Sequence, residues 1–273
     1  MINLIDLKSF EVTGLTRSET SFLPEGVLRC VGDILEPKTY KSQIESSDII
    51  IHGAALTHSK DVSRYFDVNV EGTEKVLSQI PEGSNPTVVF ISSRVAGLNS
   101  GAYGRSKIEA EKRVKDTAKK WLILRPSEVF GGSKLEGIDS MIKSSLQGGL
   151  VPCPVGEKSK MFPIHVTDVA KTIYGSVFEN ADINRIRHIN GQIGYTYKEL
   201  LQLISAVTGN KIIPLPVPQV ALRIVAKTSS ILPMSVGFVP DQVERLYSKK
   251  GHDSEVDYQT VSLEDYINEL ASS

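Results

Sequence analysis

The chain is poor in cysteine and has no long apolar run. Its two thiols, Cys30 and Cys153, are far apart in a sequence of 273 residues. They lack the close paired spacing of a zinc site or a thioredoxin-type redox centre, so both are expected to be reduced and structural, and no metal is expected. The longest apolar stretches, such as Trp121 to Leu124, fall far short of the roughly 18 residues that a membrane span needs. The first residues do not show the charged-then-apolar order of a secretory leader, which makes the cytoplasm the expected compartment. Excess charge is also missing. With 31 basic and 32 acidic side chains the net charge is -1, and this balance supports neither a nucleic-acid nor a membrane-surface partner. The sequence contains no internal repeat and no low-complexity segment.

A hydrophobic content of 40% and a charged content of 23% describe an ordinary globular protein, long enough for one large α/β domain and a smaller lobe. Short β-branched or apolar runs predict strands at residues 10–16, 27–31, 48–52, 88–92 and 121–124. Helical spacing predicts helices over 37–45 and 69–79, and from Tyr103 towards Lys119. Alternating strands and helices predict a parallel sheet covered on both faces. The spacing of apolar residues in 1–9 suits the last turns of a helix.

Beyond Gly131 the rhythm changes. Helices are expected over 139–146, from Thr167, and over 220–227, 241–247 and 262–270, with a short strand over 187–190. Thr196 and Glu199 form a capping box for a helix that stops at Gly209. The Gly- and Pro-rich residues 148–156, and the segment containing Pro214, Pro216 and Pro218, read as connections.

The chemistry concentrates between Phe90 and Lys107. A hydroxyl pair, Ser92 and Ser93, ends an apolar strand, and Tyr103 and Lys107 follow four residues apart. On a helix this spacing puts both side chains on one face. A lysine there would stabilise the tyrosine phenolate and lower a pKa that starts near ~10, making the phenol an acid or base for a carbon that bears a hydroxyl or a ketone. Ser92 reads as a hydroxyl capping the strand end, and His165 as part of a structural segment.

Around this stretch the sequence resembles the extended short-chain dehydrogenase/reductase superfamily, in particular its NAD-dependent epimerase/dehydratase family. Seven segments carry the likeness, in the family's order: Val-Gly-Asp-Ile at 31–34, Asp-Ile-Ile-Ile-His-Gly-Ala-Ala at 48–55, Asn-Val-Glu-Gly-Thr at 69–73, Phe-Ile-Ser-Ser at 90–93, Ala-Tyr-Gly-Arg-Ser-Lys at 102–107, Leu-Arg-Pro-Ser-Glu-Val-Phe-Gly at 124–131, and Ile-His-Val-Thr-Asp-Val-Ala at 164–170. The resemblance implies a Rossmann-like, doubly wound parallel sheet with a smaller C-terminal substrate-binding lobe. It divides the chain into a dinucleotide-binding domain over 1–135, completed by about 163–189, and a lobe made of 136–162 and 190–273.

The resemblance also implies site roles. Ser93, Tyr103 and Lys107 would be catalytic, and Tyr103 and Lys107 would also hold the nicotinamide ribose. Asp33 and Ile34 would hold the adenine edge, and Gly53, Ala54 and Ala55 would let phosphates and ribose approach the backbone. Asn69 would brace the active-site strand, Ser92 would lie at the cofactor edge, and Pro126 and Val129 would pack on the nicotinamide. Arg17 stands where NAD enzymes usually carry an acid, so it suits a 2′-phosphate, and NAD and NADP both stay open. A nucleotide-diphosphate sugar is the implied substrate, with a homodimer through the Tyr103 helix and its neighbour. A reductase of small carbonyl compounds, or a cofactor-binding or truncated member without turnover, are the alternatives.

One departure is large. The family's opening strand and Gly-x-x-Gly-x-x-Gly turn, which bring the pyrophosphate to a helix N-terminus, are absent. With residues 10–16 registered as the family's second strand, residues 1–9 become a remnant of the first helix, and the domain is expected to be incomplete at its N-terminus. The first strand lies mid-sheet in a doubly wound fold, so its loss should leave two strands unpaired on one side.

Overall fold

Period-two alternation along short apolar strands gives each face of the central sheet its own core. The computed structural model describes residues 4–132, 136–157, 159–179, 183–228, 240–251 and 259–272. In chain order, β1 (Thr13–Thr16) and β2 (Leu28–Val31) precede a 3-10 turn at Pro37–Thr39 and the short α1 (Lys41–Glu45). After β3 (Ile49–His52), α2 (Ser63–Phe66) continues through π-type turns at Asp67–Glu71 into α3 (Gly72–Leu77). Next come β4 (Thr87–Ile91), α4 (Gly101–Thr117), β5 (Lys120–Pro126) and β6 (Val129–Phe130).

The second half begins with α5 (Ile138–Ser145), β7 (Gly149–Val155) and β8 (Ile164–His165). α6 (Val166–Tyr174), extended by π-type turns over Gly175–Glu179, leads to β9 (Arg185–Ile189). α7 (Tyr197–Thr208) opens on the expected capping box and ends at Gly209, whose φ is 71°. β10 (Ile212–Pro218), α8 (Gln219–Thr228), α9 (Pro240–Tyr247) and α10 (Leu263–Ser272) complete the chain. No helix among the described residues is long and apolar enough to cross a membrane.

β3, β4, β5 and β9 form a parallel sheet in that order. On one face Ile50, Val88, Phe90 and Ile123 pack with Val76 and Leu77 of α3 and with Ala110 and Val114 of α4. On the other, Val89, Leu122, Leu124 and Ile189 pack with Ile164, Val169 and Ile173. A third cluster joins α5, β7, α7 and α10 around Ile142, Cys153, Leu200, Ile204 and Ile267. The expected domain boundary at 135 lies outside the described residues.

Three local expectations need correction. Residues 1–3 of the expected helix end lie outside the described residues, Leu4 is in a 3-10 turn, and residues 5–9 form a bend and a turn rather than continuing a helix. The Asp6 carboxylate accepts from Lys8 N and the Ser9 hydroxyl, and this side-chain competition with the backbone favours a turn. The Gly- and Pro-rich residues 149–155 and 212–218 are strands, β7 and β10, paired in parallel. Every second residue in a strand faces the same side, so Pro152 and Pro154, like Pro214, Pro216 and Pro218, place their missing N–H away from the partner. Finally, α4 starts at Gly101, two residues before Tyr103.

β1 and β2 pair only with each other among the described residues. Between β1 and the four-stranded sheet lies a cavity of about 1120 Å³, with Thr13, Gly14 and Leu15 on one wall and Ile49, Ile50 and Ile51 on the other. Among the described residues the ladder is therefore interrupted between β1 and β3.

Candidate active site

α4 carries Tyr103, Lys107 and Glu111 at successive four-residue steps, all buried on one face. Gly101 and Gly104 let this helix begin where it does. Gly101 has φ 70°, and a Cβ there would sit 2.4 Å from Asp241 Oδ1. A Cβ on Gly104 would lie 2.6 Å from Val95 O, in the loop that follows Ser93. Gly97 N donates to Gly104 O at 3.0 Å, which fastens that loop to the helix.

The two serines part at the end of β4. Ser92 N still bonds Leu124 O as a strand residue would, and its hydroxyl donates to Glu111 Oε1 at 2.5 Å. Glu111 also takes a bidentate bond from Arg125, at 2.8 and 2.6 Å. Ser92 is thus committed to the interior beneath the site. Ser93 is half-buried, and its hydroxyl oxygen accepts from Val95 N at 3.4 Å. Burial raises the Tyr103 pKa, while the Arg245 cation and a hydrogen bond from Ser93 oppose that rise.

Lys107 is 1% exposed. Its ammonium donates to Ile91 O at 2.8 Å and stands 4.1 Å from the centre of the Phe90 ring. Burial lowers its pKa to about 7, with Glu111 acting the other way. The Tyr103 ring meets Tyr65 edge-on at 6.0 Å, and the Arg245 guanidinium lies over it at 4.7 Å. Asn69 binds both Leu56 N and Leu56 O and donates to Ser106 Oγ at 2.9 Å, so it ties the segment after β3 to α4.

Six of the expected cofactor residues line the cavity beside β1 and β3: Arg17, Asp33, Ile34, Gly53, Ala54 and Ala55. They sit at the C-terminal ends of β1, β2 and β3, where open parallel sheets present ligand groups. The cavity also reaches Leu56, which packs against Tyr103. Pro126 is buried at the end of β5, and Val129 packs against the lower core around Ile164. His165 caps α6, its Nδ1 bonding Thr167 Oγ1 at 2.7 Å, in keeping with a structural role.

Sequence reasoning missed two sets of residues. Arg94, 3% exposed, lies over the Phe162 ring and bonds Gly251 O, Lys160 O and Glu128. Lys250 Nζ reaches Glu128 from the other side at 2.8 Å. Burial alone would raise the Glu128 pKa, but Lys250 and Arg94 hold it below the ordinary carboxylate range. The second set is Asp241 and Arg245 of α9. Asp241 Oδ1 accepts from Ala102 N at 2.5 Å and Tyr103 N at 3.2 Å, capping the α4 N-terminus from more than a hundred residues away. A charged pair one helical turn apart on α9 was the only local signal.

A parallel sheet with helices on its faces presents Ser93 at a strand end beside the buried Tyr103 and Lys107 of α4. Comparison with known proteins finds chains similar to this one. The 3-beta hydroxysteroid dehydrogenase/isomerase family model matches residues 2–115. The N-acetyl-alpha-D-glucosaminyl-diphospho-ditrans,octacis-undecaprenol 4-epimerase of Escherichia coli O157:H7 is 26% identical over 56% of this chain and 52% of its own length. The UDP-glucose 4-epimerase of Vibrio cholerae is 23% identical over 71% of this chain and 67% of its own length. The crystal structure of Thermus thermophilus UDP-glucose 4-epimerase in complex with NAD superposes with a TM-score of 0.61 at 20% identity, covering 88% of this chain and 90% of that one. These likenesses show the fold that the chain shares with epimerases of known structure. The chain spans about half the length of the Escherichia coli relative.

Proposed function

We propose that the chain is an NAD(P)-dependent oxidoreductase of the epimerase/dehydratase type, acting on a sugar carbon of a nucleotide-diphosphate sugar. The observation that carries this reading is the Tyr103 phenol, buried beside Ser93 at the C-terminal edge of the sheet, with Lys107 one turn further along the same helix. A dinucleotide would supply and recover the hydride. Tyr103 gives its phenolic proton to the substrate oxygen, or takes it back, as the carbon gains or loses hydride. Ser93 orients that oxygen. With a pKa near 7, Lys107 can hold a proton or release it close to neutrality.

The cavity walls favour a dinucleotide. Asp33 and Ile34 stand at its adenine end, Arg17 suits a 2′-phosphate, and the small residues Gly53, Ala54 and Ala55 leave backbone open to phosphate oxygens. The residues after 135 that build the α5, β7, α7 and α10 cluster serve as the substrate lobe, and the likeness to UDP-glucose 4-epimerases supports a nucleotide sugar.

A second reading, a family member that binds cofactor without turnover, is favoured by one observation: among the described residues β1 and β2 pair only with each other, so the sheet is interrupted beside the cavity. Fluorescence titration with NADH and NADPH separates the readings, followed by assay with nucleotide sugars and simple carbonyls. Tyr103→Phe should cut turnover by about 10²–10⁴-fold. Full turnover in that variant removes Tyr103 from the mechanism, and lack of saturable binding by either nucleotide rejects both readings.

A further inference from the structure

We propose that Arg245 is a positioning residue for Tyr103, supplying the cation that faces the phenol ring and locking the ring against the segment that follows β3. This rests on the reading of Tyr103 as the acid/base. The guanidinium is held from three sides. Its carbon lies 4.7 Å from the centre of the Tyr103 ring. Its Nε is 2.9 Å from Asp241 Oδ2, and its Nη2 donates to Thr57 O at 3.1 Å. Only 14% of the side chain is exposed.

The arrangement links three separate parts of the chain. Thr57 lies two residues beyond Ala55, in the segment that borders the cavity. Asp241, the partner of Arg245 on α9, holds the backbone N–H groups of Ala102 and Tyr103. A single helical turn of α9 therefore fixes both the backbone and the ring of Tyr103. Lys107, one turn further along α4, donates to Ile91 O and stands over the Phe90 ring.

The groups acting on the phenol can be named from each neighbouring element. α9 contributes Arg245 and Asp241, α2 contributes Tyr65, and the loop after β4 contributes Ser93. Lys107 lies on α4 itself. Beyond Arg245 stands His58, which is paired with Glu136 at 3.5 Å. Within this set Arg245 is the cation in contact with the ring. When Tyr103 passes its proton to a substrate oxygen it becomes a phenolate, and a fixed cation in a poorly solvated site favours that anion.

The test follows the ionisation of Tyr103 itself, by NMR of protein labelled with carbon-13 at tyrosine Cζ, the signal being assigned by its loss in Tyr103→Phe. Circular dichroism at each pH confirms the fold. Arg245→Gln keeps hydrogen-bonding groups for Asp241 and Thr57 but removes the charge. Its Tyr103 midpoint should rise by about one pH unit or more, a tenfold loss in ionisation constant, and Arg245→Lys should recover part of the shift. Equal midpoints in folded wild type and Arg245→Gln would overturn the proposal. If Arg245→Gln does not fold, Asp241→Asn carries the test. It leaves the Arg245 charge unopposed and should lower the midpoint, whereas an unmoved midpoint counts against the proposal. The titration needs neither substrate nor cofactor, so its failure is separate from failure of the enzymatic reading, which the turnover of Tyr103→Phe decides.

Discussion

Glu111 and Arg125 close a bidentate ion pair beneath the sheet's C-terminal edge, with Nε–Oε1 at 2.8 Å and Nη2–Oε2 at 2.6 Å. Glu111 is fully buried and also accepts from Ser92. Breaking one side of such a pair leaves an uncompensated charge, at a cost of about 3–5 kcal/mol. Glu111→Gln should lower the urea midpoint accordingly, because the amide can still take the Ser92 hydroxyl but not the guanidinium charge. A midpoint matching wild type would mean that water reaches Arg125 and replaces the carboxylate.

His52 predicts an acid limit. Its Nε2 lies 3.0 Å from Thr73 Oγ1, and burial, helped by the Lys107 charge, lowers its pKa from 6.5 to about 3. The unfolded chain therefore binds a proton that the folded chain refuses between those values. The contribution of His52 is complete above pH 6.5 and is lost as the pH falls towards 3. Within that window the loss is about 1.4 kcal/mol per pH unit. Denaturant titrations at several pH values should show a shallower acid slope for His52→Gln than for wild type, and parallel slopes would contradict the assignment.

Two glycines with positive φ allow a paired comparison. Gly101 (φ 70°) would drive a Cβ into Asp241, whereas Gly209 (φ 71°) has open space around its Cβ position. An alanine at either site meets the left-handed backbone cost of about 1–3 kcal/mol. Gly101→Ala should lose more, because it also displaces the carboxylate that caps α4. Thermal melts of the two variants check this, with equal losses ruling out the close approach.

What could be read in the sequence was local. The alternating strands and helices from β2 to β5, the capping box at Thr196 and the stop at Gly209 follow from periodicity and side-chain chemistry within a few residues. The inward turn of Ser92 fits its reading as a strand-end hydroxyl. By contrast, the pairing of β7 with β10 joins residues some sixty positions apart, and proline-rich composition hides strands whose free side faces away from the ladder. Asp241 and Arg245 escaped for the same reason, since nothing near them in the chain indicates that they dock on α4. Residues 5–9 misled because the apolar spacing of the segment outweighed the turn-forming Asp6.

The interruption between β1 and β3 has a dynamic consequence. A strand pair held by one ladder, with Leu15, Leu28 and Val31 exposed, can open without disturbing β4 and β5, whose apolar side chains are sealed on both faces. The protein should therefore unfold in two steps on the hydrogen-exchange timescale. Amides of β1 and β2 would exchange through a low-energy opening, and those of β4 and β5 only when the whole sheet comes apart. The adenine end of the proposed cofactor site would then belong to the less stable unit and Tyr103 to the more stable one, so that saturating dinucleotide should slow exchange most in β1 and β2.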